Sequence, residues 1–237
     1  MKNLIFIIFI KLTKNLRNAD IIFSEAQHKN LNASNTLIIP NSIKVEENYL
    51  QHERSPKKYD FIFIGRLEYP KNPQALLRAL AQTKNKNLNL LIVGDGYERP
   101  DVEKSIAALD LNSRVTLYGI STNVQDQLLS ARCLILCSVF EGLPMVILEA
   151  GAIGLPVIST PVGSIPDLLS DNCGYLTHID KLSSTMELVA ENQAEALERG
   201  RNLHKKVLRS YSLEKMVNDH EALYKSLIDM ETIYERS

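Results

Sequence analysis

Residues 59–96 read YDFIFIGRLEYPKNPQALLRALAQTKNKNLNLLIVGDG, and they contain one complete strand–helix–strand pattern. Two short apolar runs, Phe61–Ile64 and Leu88–Val93, are each stopped by glycine. Between them, Pro73–Thr83 repeats its apolar residues at helical spacing, which predicts an amphipathic helix. Two fully apolar strands joined by a helix form a βαβ unit. The strands of such a unit lie parallel and are covered on both faces.

The same alternation continues beyond this unit. Further strands are expected at 115–118, 133–137, 156–159 and 174–177, and further helices at 102–109, 124–131, 144–153 and 165–169. The pattern predicts an α/β fold, a Rossmann-like doubly wound parallel sheet over residues 59–180. In such a sheet, ligands bind at the carboxyl ends of the strands.

The C-terminal tail, residues 181–237, is expected to form helices that pack on this domain. Turns are predicted near Gly200 and at Ser210–Ser212. A packing seam is predicted from the apolar side chains of Leu213, Met216, Val217, Leu223, Leu227 and Ile228. The cations Lys205, Lys206 and Arg209 fit a solvated helix face better than a contact with anionic lipid.

The N-terminal region shows weaker sequence patterns. The apolar run Leu4–Ile10 is far shorter than the ~20 residues that a membrane span needs. A buried element is favoured there over a signal or anchor, or over a misplaced start codon. Ala19–Ser24 is expected to be a short buried strand, and the polar residues 46–58 are expected to form a linker.

Composition excludes several classes of function. The chain has 237 residues with 27 basic and 28 acidic side chains, a net charge of -1, and no Trp. This balance gives no basic surface for nucleic acid. The three cysteines form no Cys-x-x-Cys pair and the five histidines show no ligand spacing, so no metal site is expected and a reduced, cytoplasmic protein is favoured. A Gly-x-Gly-x-x-Gly fingerprint is absent, which disfavours a dinucleotide-dependent oxidoreductase.

The first candidate site follows the strand at Phe61–Ile64. Gly65 permits a close backbone approach, and Arg66 and Lys71 can turn toward one anion from the same loop. A planar guanidinium and a compact ammonium suit a diphosphate. The alternative is a pair of solvated surface cations.

The second candidate site is Phe140-Glu141-Gly142-Leu143-Pro144. Pro144 is expected in the first turn of a helix, where its missing N–H has no consequence. The free amides of Gly142 and Leu143 then offer an anion site at the helix N-terminus. Glu141 would repel a bare phosphate, so sugar hydroxyls suit it better.

Glu149 is the third candidate, because it lies in an otherwise apolar helix. A buried carboxylate requires a partner. That partner is either a structural hydrogen-bond donor or a pair of ligand hydroxyls such as those of ribose. Eight residues of helix rise place Glu141 and Glu149 ~10–12 Å apart, which suits opposite ends of one extended ligand.

Together these residues resemble the retaining glycosyltransferases of family 4, which have the GT-B fold. The resemblance runs from Tyr59 to Thr177 and is strongest at Gly65-Arg66-Leu67…Lys71, Leu91–Gly96, and Glu141-Gly142-Leu143-Pro144…Glu149. It makes residues 59–180 the C-terminal, donor-binding half of that fold. It implies transfer of a sugar with retention of configuration, in polysaccharide or glycolipid biosynthesis.

The resemblance also implies roles for individual residues. Arg66 and Lys71 would hold the diphosphate and, with Glu141, form the catalytic set. The other donor-binding positions would be Gly65, Gly94, Gly96, Gly119, Ile120, Gly142, Leu143, Pro144 and Glu149. The donor would be a nucleotide-diphosphate sugar, with uridine favoured over guanosine, and no cofactor or metal is implied. The acceptor would be a glycan or lipid-linked sugar, with at most peripheral contact at the inner face of the membrane.

The chain departs from this family in its N-terminal part. The family pairs its donor domain with an acceptor domain of similar size, whereas residues 1–45 resemble only a remnant of one. Three interpretations remain open. The chain is an incomplete enzyme, one half of a split enzyme with a separate acceptor-domain subunit, or a module that binds a nucleotide sugar without transferring it.

Overall fold

The computed structural model describes residues 20–22, 36–45 and 56–234. The expectations for Leu4–Ile10 and for most of the 46–58 linker lie outside these residues. No helix in the described part of the chain is both long and apolar enough to cross a bilayer.

Two parallel sheets are present among the described residues. A small one pairs β1 (Asp20–Ile22) with β2 (Thr36–Ile38). The large one contains β3 (Tyr59–Ile64), β4 (Leu90–Val93), β5 (Val115–Gly119), β6 (Ala131–Leu136), β7 (Val157–Ser159) and β8 (Tyr175–Leu176). Its order is β5-β4-β3-β6-β7-β8 and every pairing is parallel. The doubly wound sheet is therefore confirmed, and its order reverses between β3 and β6.

The helices alternate with these strands as expected. They are α1 (Pro73–Gln82), α2 (Arg99–Ala108), α3 (Val124–Leu129), α4 (Met145–Ala152), α5 (Ile165–Leu168), α6 (Leu182–Glu191), α7 (Gln193–Ser210) and α8 (Leu213–Tyr234). Several boundaries differ from the prediction by one to three residues, and at one position the type of element was wrong: Ala131, predicted as the end of a helix, begins β6. Ala131 is fully buried, and the helix ends two residues earlier.

Both faces of the sheet are covered by helices. On β3, Phe61 and Phe63 pack into a core with α1, α2 and α6, whereas Ile62 packs into a second core with α4 and α7. Successive side chains of a strand point to opposite faces. A strand buried on both faces therefore has to be apolar at every position, which is why the strand sequences show no alternation.

The turn predicted at Gly200 is not present. Helix α7 runs unbroken through it, and the break between helices lies at Asn192 instead. A Cβ atom on Gly200 would lie 2.1 Å from the carbonyl oxygen of Gly154. This glycine therefore permits close packing of a helix on a loop. The turn predicted at Ser210–Ser212 is confirmed, because α7 ends at Ser210 and α8 begins at Leu213.

The last helix begins against the described N-terminal segment, residues 36–45. The Ile43 amide donates to Tyr211 O at 2.9 Å, and the Leu213 amide donates to Ile43 O at 3.1 Å. The predicted seam on α8 is only partly correct: Leu223 is buried, but Leu213 and Val217 are largely exposed. The side chains of Leu227 and Ile228 lie outside the description.

Two further expectations about side chains needed correction. Ile21, in the strand predicted as buried, is 38% exposed. Lys206, one of the three tail cations, is not a freely solvated side chain. Its ammonium donates to Asp167 O and Ser170 Oγ, both at 2.6 Å, and holds the loop after α5.

Candidate functional site at the strand-order reversal

The candidate residues converge on the loops that follow β3 and β6. These two strands are hydrogen-bonded neighbours, with Phe61 opposite Cys133. The first helix after β3 crosses one face of the sheet and the first after β6 crosses the other, so the two loops diverge and leave a crevice. The loops themselves are linked, because the Val139 amide donates to Pro70 O at 3.0 Å.

Lys71 and Glu141 meet across this crevice. The Lys71 ammonium lies 2.5 Å from Glu141 Oε1, and the two side chains are 20% and 9% exposed. Ser138 Oγ donates to the same carboxylate oxygen at 2.6 Å. The sequence placed Lys71 at a diphosphate and Glu141 at a sugar, and did not predict that they bind each other. Ser138 was not identified from the sequence as a site residue, although it lies only two residues after the end of β6.

Arg66 has a different partner. Its guanidinium is paired with Glu68 Oε2 at 2.8 Å, and its side chain is 70% exposed. Arg66 and Lys71 therefore do not share one partner. Arg66 is, however, part of the wall of a groove of about 310 Å³. Its exposed guanidinium is free to exchange Glu68 for an anion in that groove.

This groove, here the β3–β5 groove, lies at the carboxyl ends of three neighbouring strands. Its lining residues are Ile64, Gly65, Arg66, Val93, Gly94, Asp95, Ile120, Ser121 and Val124. Ile120 is 77% exposed, so an apolar surface is presented to a ligand. Gly119, just before it, has φ +86° and its carbonyl accepts from the Gly94 amide at 2.7 Å. The sequence placed Gly65, Gly94, Gly119 and Ile120 together, and the structure brings them to this one edge.

Gly94 and Gly96 have a packing role. A Cβ atom on Gly94 would lie 1.9 Å from Gly65 O, and one on Gly96 would lie 2.5 Å from Leu67 O. Gly94 also has φ +136°, a conformation that side chains rarely adopt. These two glycines therefore let the β4–α2 loop pack directly against the loop that carries Arg66.

The N-terminus of α4 offers free backbone donors. Among the hydrogen bonds of the described residues, none has the amide of Gly142, Leu143, Met145 or Val146 as its donor. The positive end of the helix dipole adds to this, as an anion site requires. The prediction for Pro144 was off by one position, since Pro144 is the N-cap with ψ 112° and Met145 is the first helical residue.

Glu149 lies half-buried in α4 without a partner. No hydrogen bond or ion pair to Glu149 is present among the described residues, so the first of the two alternatives, a structural partner, is not found there. Burial raises the pKa of the Glu149 carboxyl above its ordinary value. An unpaired carboxylate of this kind is available to a ligand hydroxyl. No group of three or more His, Cys, Asp and Glu side chains is arranged for a metal within the described residues.

The sequence of the chain is similar to those of known proteins. A family model described as glycosyl transferases group 1 matches residues 45–206. The chain is 26% identical over 230 residues to N-acetyl-alpha-D-glucosaminyl L-malate synthase of Bacillus anthracis, which is 88% of this chain and 60% of that protein. It is 35% identical over 140 residues to a Campylobacter jejuni alpha-1,4-N-acetyl-D-galactosaminyltransferase whose name includes an undecaprenol-linked saccharide, covering 56% of this chain and 38% of that protein.

Solved structures share the fold. The Anabaena protein Alr3699/HepE, crystallised in complex with UDP, superposes with a TM-score of 0.79 and 18% identity, over 93% of this chain and 66% of that one. At this level of identity the similarity is one of fold. The chain spans less than two thirds of the length of the relatives named here.

Proposed function

This chain belongs to the group 1 glycosyl transferases, and on that premise we propose that it binds a nucleotide-diphosphate sugar at the strand-order reversal and transfers the sugar to an acceptor. The observation that carries the proposal is the Lys71–Glu141 pair beside the free amides of α4. Cations, amide donors and a buried carboxylate in one crevice match a ligand that has both phosphates and hydroxyls.

We assign each chemical group of the donor to one part of the site. Lys71, Arg66 and the amides of Gly142 and Leu143 hold the diphosphate. They stabilise the negative charge that grows on it as the sugar leaves, which is preorganised electrostatic stabilisation. Glu141 accepts hydrogen bonds from sugar hydroxyls. Glu149 accepts from the ribose hydroxyls, which supplies the partner that this carboxylate lacks within the protein.

The base is assigned to the β3–β5 groove. Exposed Ile120 offers it an apolar face, and the backbone beside Gly119 offers polar groups. We assign uridine rather than guanosine, with support from the UDP complex of the similarly folded Anabaena protein. The resemblance in the sequence supports retention of the anomeric configuration, with no metal required.

The acceptor is assigned to the class of glycans and lipid-linked sugars. The undecaprenol-linked saccharide in the name of the Campylobacter relative supports this choice. Because the named relatives are longer than the match, an acceptor-binding segment or separate subunit is the proposed partner. Polysaccharide or glycolipid biosynthesis is the corresponding pathway class, with the chain acting at the inner face of the membrane.

The test is a thermal melt of the chain with UDP, GDP and ADP in parallel. A nucleotide at ~100 times its dissociation constant adds ~2.7 kcal/mol to the unfolding free energy. At ~2–4 °C per kcal/mol for a domain of this size, UDP should raise Tm by several degrees. A cooperative melt that none of the three nucleotides shifts would contradict the proposal.

A second measurement separates transfer from binding alone. UDP release from UDP-glucose and UDP-N-acetylglucosamine is followed by a coupled assay in the presence of an undecaprenyl-diphosphate-linked saccharide as the acceptor, and the anomeric proton of the product is followed by NMR. A retaining glycosyltransferase transfers the sugar to an acceptor hydroxyl, releases UDP and gives a product with the donor's anomeric configuration. A binding-only module shifts Tm with UDP but releases none from either donor.

A further inference from the structure

The carboxylate of Glu141 has two oxygens with different surroundings. Oε1 accepts from Lys71 Nζ at 2.5 Å and from Ser138 Oγ at 2.6 Å. Among the described residues, no donor reaches Oε2. The side chain is 9% exposed, so its orientation is set by the protein and not by bulk solvent. One oxygen is therefore held by the protein, and the other is left for a ligand.

The two groups that hold Oε1 differ in how firmly they are held themselves. The Lys71 ammonium lies at the end of a long, flexible side chain that is 20% exposed. A bound diphosphate would attract its charge. Ser138 is 1% exposed and has a single rotatable side-chain bond to its hydroxyl oxygen. If an anion draws Lys71 away, Ser138 is the donor that stays on Glu141.

Ser138 is in turn held by the loop that follows β7. Thr160 Oγ1 donates to Ser138 O at 2.6 Å, and Thr160 itself is buried. Four residues on, Ser164 Oγ donates to Gly142 O at 2.5 Å. Between them, a Cβ atom on Gly163 would lie 2.1 Å from Glu141 O. The loop that follows β7 therefore contacts the backbone before Glu141, after it and at Glu141 itself.

From these contacts we infer that Ser138 is a positioning residue for Glu141, held in place by Thr160, and that it fixes Oε2 toward the sugar of the donor. Ser138 thereby contributes to recognition of the sugar and not of the nucleotide. This inference rests on the proposed function, since it assigns the hydroxyls of a donor sugar to Oε2. It adds a residue that the sequence did not identify as part of the site.

The test compares two ligands that differ only in the sugar. Dissociation constants for UDP and for UDP-glucose are measured by titration calorimetry on the full chain and on Ser138→Ala, and UDP-N-acetylglucosamine is run as a second sugar probe. Ser138→Ala should leave the UDP constant within ~2-fold. The ratio of the UDP-sugar dissociation constant to the UDP dissociation constant should rise by about 10-fold, the lower end of what one charge-assisted hydrogen bond contributes.

Three further variants distinguish the effect of the Ser138 hydroxyl group from the effect of side-chain packing. Ser138→Cys fills the same space with a weak donor, so it should resemble Ser138→Ala if the hydrogen bond matters and the wild type if only volume matters. Thr160→Val keeps its volume but removes the donor to Ser138 O, and should shift the ratio in the same direction. Ser130→Ala is the matched control, because it removes a hydroxyl that donates to Gln127 O at the opposite end of β6.

The outcomes distinguish the inference from the function on which it rests. A wild-type chain that binds neither UDP nor either UDP-sugar overturns the proposed function and this inference with it. A wild-type chain that binds them, with Ser138→Ala weakening UDP and UDP-sugar equally or neither at all, overturns the inference alone. A cooperative melt of each variant at the assay temperature is required before its constants are compared.

Discussion

Lys71 and Glu141 are 70 residues apart in the sequence, yet the ammonium of one lies 2.5 Å from a carboxylate oxygen of the other. The contact exists because β3 and β6 are neighbours in the sheet, so the loops that follow them share an edge. A cation and an anion, each assigned to the donor in the proposed function, thus neutralise one another. A buried charge without such a partner would be costly.

We expect Lys71→Ala to weaken UDP binding more than Arg66→Ala does. Lys71 is mostly buried, whereas Arg66 is 70% exposed and screened by solvent. Losses of about 10-fold or more for Lys71 and only a few-fold for Arg66 correspond to charge-assisted bonds in these two settings. Calorimetry gives the constants. If neither substitution changes UDP affinity, the diphosphate does not bind at this loop.

Gly94→Ala should destabilise the fold and abolish UDP binding. The added methyl group would lie 1.9 Å from Gly65 O at a φ of +136°, so both loops have to shift. Strain of this kind costs about 1–3 kcal/mol or more, which lowers Tm by several degrees. Gly142→Ala is the matched control for stability alone, since a Cβ atom there meets nothing within 4 Å. Equal Tm values for the two variants would refute the packing role of Gly94.

Gly200→Ala should lower Tm even though the position is inside a helix. The same substitution in an exposed helix interior would stabilise by ~1 kcal/mol, because glycine is the poorer helix former. Here the methyl group would lie 2.1 Å from Gly154 O, and overpacking costs about 1–3 kcal/mol. Glu198→Ala, at an exposed position of the same helix, is the control. A rise in Tm for Gly200→Ala would contradict the prediction and show that the backbone at Gly154 shifts to accommodate the methyl group.

Glu149→Gln should stabilise the empty protein at neutral pH and weaken UDP binding. Because burial raises the pKa of Glu149 in the folded state, the native state loses stability as pH rises through that pKa. The uncharged amide removes this penalty, so the gain in Tm should be present at pH 7.5. The gain should vanish below the ordinary glutamate pKa of ~4.3, where both states are protonated. Melts from pH 4 to pH 8 measure it.

Glu149→Gln should weaken UDP binding because it removes a negative charge from the acceptor. The amide oxygen still accepts a hydrogen bond, but it lacks the charge that strengthens a bond from ribose. UDP affinity should fall by about 10-fold, the difference between a charged and a neutral acceptor. If Glu149→Gln changes Tm but leaves UDP affinity unchanged, the residue has no part in binding. Glu198→Gln serves as the exposed control.

The three cysteines should resist thiol reagents while the chain is folded. All three are free and buried, and burial raises the pKa of Cys137 to about 12. The reactive thiolate is therefore nearly absent at pH 8. An aromatic disulfide reagent should label none of them in buffer and all three in guanidinium chloride. Rapid labelling of one thiol in the folded chain would reveal a local opening.

Parts of the site were readable from the sequence for a plain reason. Glycines and charged residues that directly follow apolar strands have to lie at the carboxyl edge of a parallel sheet, so Gly65, Lys71 and Glu141 could be placed together. The partners of these side chains could not be read in the same way. The adjacency of β3 and β6 brings Lys71 to Glu141. The contacts of Arg66 with Glu68 and of Ser138 with Glu141 each form within one loop and depend on the conformation of that loop.

The doubly wound sheet follows from local patterns, because strands buried on both faces must be apolar throughout and such runs alternate with helical periodicity. The same patterns show which edge of the sheet carries the candidate site residues. The role of each glycine depends instead on packing between distant segments: Gly200 is typical of a turn locally, but a loop packed against its helix leaves no room for a side chain. Only the structure left Glu149 without a partner, since pairing depends on neighbours that no local pattern specifies.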